Sequence, residues 1–121
     1  MVLTGAEEMA MGDQQRIETL ERLTTSGTAD SFTWYGLALE YASFGRIDDA
    51  LATFETLRAD NADYVAMYLM CGTMLLDSGR AKEAREWLEC GVLKARELSE
   101  KHALAELEEA LNQVPPPPSL G

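Results

Sequence analysis

The sequence predicts an all-α protein, a solenoid of antiparallel helix pairs, and three observations carry that expectation. Apolar residues recur at helical spacing along most of the chain, and no run alternates polar and apolar residues as a half-buried strand would. Laid on itself with a shift of 34 residues, the chain matches: Trp34 falls on Tyr68, Leu37 on Cys71, Ala38 on Gly72, Tyr41 on Leu75, Gly45 on Gly79, Arg46 on Arg80, Asp49 on Glu83, Ala50 on Ala84, Phe54 on Leu88 and Glu55 on Glu89. A helix, a glycine-bearing turn and a second helix repeating at fixed length are the mark of a helical solenoid. Third, residues 64–76 are apolar on nearly every side between Asp63 and Asp77, diluted only by Gly72 and Thr73. They make about 20 Å of helix, too short for a membrane span, so this helix must be covered on one side by its own chain and on the other by something else.

Taken in order, residues 1–12 are small, polar or Met without a sustained period, and are expected to be frayed or disordered. From Asp13 an amphipathic helix sets Ile17, Leu20 and Leu23 on one stripe and Arg16, Glu18, Glu21 and Arg22 opposite. Residues 24–28, Thr-Thr-Ser-Gly-Thr, break it. Asp30 or Ser31 caps a helix through Trp34, Leu37, Ala38 and Tyr41 that stops at Gly45. The next carries Ile47, Ala50, Leu51, Phe54 and Leu57 on its apolar side and ends in the turn-forming cluster of residues 60–63. The helix of residues 64–76 stops at Gly79, and another runs from Ala81 to about Leu98 with Ala84, Trp87, Leu88 and Leu93. A last amphipathic helix, carrying Ala103, Leu104, Leu107, Ala110 and Leu111, ends before Pro115. Small Ala38 or Gly72 is expected to face small Ala50 or Ala84, letting two backbones approach, while Trp34, Tyr41 and Phe54 fill the space around them. Residues 115–121 open with four prolines, which favour polyproline II and bar helix; no basic residue flanks the run, so a stiff tail is favoured over a ligand for a proline-binding groove.

Composition narrows the function. The 121 residues fit one domain on size. Ten Lys and Arg against 21 Asp and Glu give a net charge of −11, which makes nucleic acid and anionic membrane poor partners. Cys71 and Cys90 sit within helical patterns, fewer than a secreted disulfide scaffold uses, so a reducing compartment is expected. Glu7 and Glu8 come before any basic residue and no signal peptide is expected, which together with the missing span reads as a cytoplasmic protein. Nothing points to catalysis, a metal or a cofactor. His102 is the sole histidine, and with Glu106 one turn on it offers two ligands where a metal site needs more. Cys71 lies on a packing face, Cys90 on a partly exposed helix, and Gly5, Gly12 and Gly27 are followed by no Gly-Lys-Ser or Gly-Lys-Thr.

The repeat resembles the tetratricopeptide repeat, whose signature runs aromatic, Leu, Gly or Ala, Tyr, Ala, Phe, Ala, Pro. Residues 31–64 carry it through Trp34, Leu37, Ala38, Tyr41, Ala50 and Phe54, departing at Leu57 and Ala62. Residues 65–98 carry it through Tyr68, Gly72, Ala84 and Gly91, with Cys71, Leu75 and Leu88 as apolar replacements. The resemblance covers residues 13–114, with residues 13–25 as the second half of a truncated repeat and residues 101–114 as a terminal cap. Size and layout are similar to the short, free-standing repeat proteins of bacteria, and the resemblance implies a right-handed solenoid.

In that family the first helix of each repeat lines a concave groove for an extended or helical peptide. Carried over, this implies Phe32, Tyr35, Leu39 and Ser43 in the first repeat and Leu69, Met70, Thr73, Leu76 and Asp77 in the second. The Lys, Asn and Arg with which some chaperone-binding members hold a terminal carboxylate are absent from these positions. What remains is an apolar groove with an adaptable methionine, suited to an amphipathic helix. The expectation is a non-catalytic adaptor or scaffold that binds another protein. The alternatives are a homodimer that uses the groove as its interface, or a groove filled by the chain's own ends.

Overall fold

Glycine at the close of a helix lets the chain turn back sharply, and the computed structural model, which describes residues 5–117 with side chains from residue 14, uses that device at regular intervals. The described residues form six α-helices and no strand: α1 (Gly5–Thr25), α2 (Ser31–Ser43), α3 (Ile47–Asp60), α4 (Val65–Asp77), α5 (Ala81–Glu97) and α6 (Lys101–Asn112). Gly45 and Gly79 have φ of +74° and +79°, the left-handed conformation that glycine adopts without steric cost. Beside them the Arg46 amide donates to the Tyr41 carbonyl at 2.9 Å and the Arg80 amide to the Leu75 carbonyl at 2.8 Å, closing α2 and α4 with the same Schellman-type bond. The α5–α6 turn repeats the bond, from the Glu100 amide to the Ala95 carbonyl at 2.9 Å, but there Ser99 takes the left-handed position at φ +57°. At its other end α2 is capped by Asp30, whose carboxylate accepts from the Thr33 amide at 2.8 Å.

One expected boundary is corrected. α1 starts at Gly5, not Asp13, so residues 5–12, expected to be frayed, are helical. Residues 6–11 are Ala-Glu-Glu-Met-Ala-Met, all good helix formers. The missing amphipathic period bears on whether a helix has a face to bury, not on whether the backbone is helical. Residues 1–4, and Pro118 onward in the tail, lie outside the described residues.

The chain divides into two compact units, residues 1–57 and 58–121. In the first, α1 packs on α2 and Ile17 is fully buried, and two polar links cross between the helices: the Tyr41 hydroxyl donates to Glu21 Oε2 at 2.5 Å, and Arg16 Nε lies 3.2 Å from Glu40 Oε1. Leu23, the third residue of the expected stripe, is exposed. Leu37, Ala38 and Tyr41 of α2 and Ala50, Phe54 and Leu57 of α3 are buried, and Tyr35 meets Phe54 edge-on with centroids 6.5 Å apart.

In the second unit α5 packs against both α4 and α6, and α6 also touches α4. Ala84, Trp87, Leu88, Gly91, Val92 and Ala95 make the buried side of α5, where Trp87 tilts against Tyr68 at 6.0 Å and lies under the Arg58 guanidinium at 4.2 Å. A Cβ built on Gly91 would come within 2.6 Å of Tyr68 Cβ on α4 and 2.7 Å of Leu107 Cδ2 on α6, so the missing side chain is what lets three helices meet. Small Gly72 is expected to face small Ala84 across the helix pair, but the nearest neighbour of a Cβ at Gly72 is Leu88, one turn further along α5, at 2.5 Å.

Candidate functional site: the open faces of α2 and α4

The helix that the sequence reads as apolar on nearly every side divides cleanly in two. Val65, Met67, Tyr68, Cys71, Gly72, Met74 and Leu75 are buried and share one half of α4, facing its packed neighbours. The other half carries Ala66, Leu69, Met70, Thr73, Leu76 and Asp77, at the i, i+3, i+4, i+7 spacing of a single helical face. There Leu69, Thr73 and Leu76 are half-buried, and Ala66, Met70 and Asp77 are exposed. α6 reaches α4, yet this face keeps its exposure, with Met70 at 38%.

Equivalent positions one period earlier behave alike. Phe32 is 71% exposed, Ser43 is exposed, and Tyr35 and Leu39 are half-buried, all on the side of α2 away from Leu37, Ala38 and Tyr41. Tyr35 is partly spent on packing, through its edge contact with Phe54. Each expected set thus shares one helix face, five positions on α4 and four on α2. Ala66 is the member of the α4 face that the sequence reading passed over. Its spacing to Leu69 and Met70 is the signal that places it there, but a methyl group looks the same on a core face.

The polar chemistry of these faces is sparse. The Thr73 hydroxyl donates to the Leu69 carbonyl at 2.9 Å and the Ser43 hydroxyl to the Glu40 carbonyl at 2.8 Å, so each is satisfied within its own helix. Glu40 and Asp77 are the only charged residues of α2 and α4, and neither helix has a cation. The faces therefore offer apolar contact area and no anchor for an anion.

Shifted ionisation lies elsewhere and is structural. Burial and the hydrogen bond to Glu21 push the Tyr41 hydroxyl up to about 12. Burial likewise raises Tyr68, whose hydroxyl donates to the Ala62 carbonyl at 2.6 Å. Hydrogen bonds to Asp63 and Glu97 raise Lys94. His102 is 93% exposed, with Nε2 2.7 Å from Glu106 Oε1. Cys71 is buried, Cys90 is exposed, and they form no disulfide with each other. Among the described residues no group of three or more His, Cys, Asp or Glu is placed to hold a metal ion, and no helix is long and apolar enough to cross a membrane.

Comparison with known proteins identifies the fold. Residues 41–107 match the family model of the tetratricopeptide repeat. The fold is similar to a tetratricopeptide repeat domain protein from Salinibacter ruber, at 33% identity over 70% of this chain. Its solution structure is covered to 86% with a TM-score of 0.65. Its crystal structure, at the same identity and share of this chain, is covered to 96% with a TM-score of 0.64. The solution structure of a Bordetella parapertussis protein, 23% identical, shares the fold over 81% of this chain and 85% of its own, with a TM-score of 0.71. No curated protein matches the chain.

Proposed function

Because the chain belongs to the tetratricopeptide repeat family, a family of protein-interaction modules whose fold is the helical solenoid that the 34-residue period predicts, we propose that it is a non-catalytic cytoplasmic adaptor or scaffold. Its open α4 face takes an amphipathic helix or peptide from another protein, and α2 presents the equivalent residues one repeat earlier. One observation carries this reading: half of a thirteen-residue helix is packed to burial, while the half bearing Leu69, Met70, Thr73 and Leu76 is apolar and still open. Apolar contiguity of that kind on a small protein marks a contact surface, and Met70 lets the surface adapt to the shape laid on it. Partner chemistry follows from the lining. With no cation on either helix and a net charge of −11, an acidic peptide, a nucleic acid or an anionic membrane would meet repulsion.

Leu69→Asp tests the reading. A charge at a half-buried position leaves helicity unchanged by circular dichroism while binding of the isolated partner falls at least tenfold, because the carboxylate must be desolvated against an apolar ligand. Unimpaired partner binding by a folded Leu69→Asp protein would refute the site. Light scattering separates the homodimer: the adaptor reading expects a mass that stays monomeric with concentration.

A further inference from the structure

Four prolines follow α6 in the sequence with no basic neighbour, and the structure brings basic neighbours to them from 30 residues upstream. Arg85 Nη2 donates to the carbonyl oxygens of Pro115 at 2.7 Å and Val114 at 3.4 Å, and Val114 itself is buried. These contacts hold the chain beside the first turns of α5 as it leaves α6. Pro115, Pro116 and Pro117 then form one wall of an open cleft of about 520 Å³, and Ala81, Lys82, Arg85 and Glu86 form the other. That volume lies within the range of about 300–1,000 Å³ typical of ligand pockets.

Both walls favour one kind of occupant. Pyrrolidine rings in an extended run are what aromatic-lined grooves recognise, since the prolines are already fixed in φ and lose little entropy on contact. The opposite wall carries a guanidinium and an ammonium, which are attracted to the face of an aromatic ring, and the arginine is oriented by the two carbonyls it holds. This chain already uses the arrangement internally, with Arg58 over Trp87 at 4.2 Å and Arg46 over Tyr41 at 4.6 Å. We propose that the cleft between the start of α5 and the proline segment is a second binding site, which takes an aromatic side chain from the proline-reading groove of a partner protein. The site lies outside the α4 face and does not depend on the function assigned to that face.

The test titrates the full ¹⁵N-labelled chain with N-acetyltryptophanamide, with N-acetylleucinamide as the aliphatic control, and follows amide shifts by NMR. The expected result is a saturable millimolar response centred on Ala81, Lys82, Arg85 and Glu86, at least tenfold stronger for the tryptophan compound. The response is lost in Arg85→Ala and in the Pro116→Ala/Pro117→Ala double variant, which changes only exposed tail residues and so leaves the remaining spectrum intact. Absence of saturation, an equal response to the leucine compound, shifts confined to the α4 face, or persistence in the proline double variant would each overturn the proposal. Each of these outcomes would still leave the α4 reading open to its own test.

Discussion

Gly91 and Gly72 both lie where α5 meets α4, and they differ in what an added methyl group would strike. At Gly91 the obstacle includes Tyr68 Cβ at 2.6 Å, an atom fixed to the backbone, whereas at Gly72 it is the branched end of Leu88, which can rotate. Gly91→Ala should therefore lower stability by about 1–3 kcal/mol through overpacking. In Gly72→Ala the helix propensity of alanine offsets up to about 1 kcal/mol of a smaller strain. Urea unfolding of the two variants checks the order, and a Gly91→Ala protein as stable as the parent would contradict the three-helix contact. The small residues were legible in the repeat register, but their neighbours were not. Helices pack with an offset set by ridges and grooves, so Leu88 stands where Ala84 was expected, and the approach of Leu107 to Gly91 belongs to a helix outside the repeat.

Helix ends were the most legible feature at the next scale, because turn chemistry is local. Gly45 and Gly79 close α2 and α4, and Asp30 opens α2, each by a bond to residues within a turn or two. The start of α1 was missed for the converse reason: periodicity reports a face to bury, and residues 5–12 are helical without a period in the sequence. Links between elements were invisible as well. The bond from Tyr41 to Glu21 joins α2 to α1 across 20 residues, with the Arg46 guanidinium 4.6 Å from the tyrosine ring. Its consequence is a pH dependence. Tyr41 ionises at about 12 in the folded chain against an ordinary 10.0, so the stability it confers is complete below pH 10.0 and is lost as pH rises towards about 12. Tyr68 and Lys94 are raised too and move the same way. Chemical denaturation in steps across that window should show a decline that is shallower in Tyr41→Phe; an identical decline would remove Tyr41 from the account.

For the molecule as a whole, charge and surface set the terms of association. The net charge of −11 opposes the approach of polyanions, and with no cation on α2 or α4 their open faces offer short-range apolar contact. That α4 is apolar on two sides was legible in residues 64–76; which side its neighbours cover was also legible, since the repeat register places Tyr68, Cys71, Gly72 and Leu75 on the packed half where they are found. The tail was not legible, because the hydrogen bonds from Arg85 span 29 and 30 residues and leave no trace in the local pattern. The adaptor reading rests on the second side of α4 being open in the isolated chain, and paired substitutions measure it directly. In urea unfolding, Leu69→Asp should change stability by no more than about 1 kcal/mol, while Leu75→Asp, at a fully buried position, should cost more than about 3 kcal/mol or prevent folding. Equal losses in the two variants would show that the Leu69 side is core, and no docking face would remain.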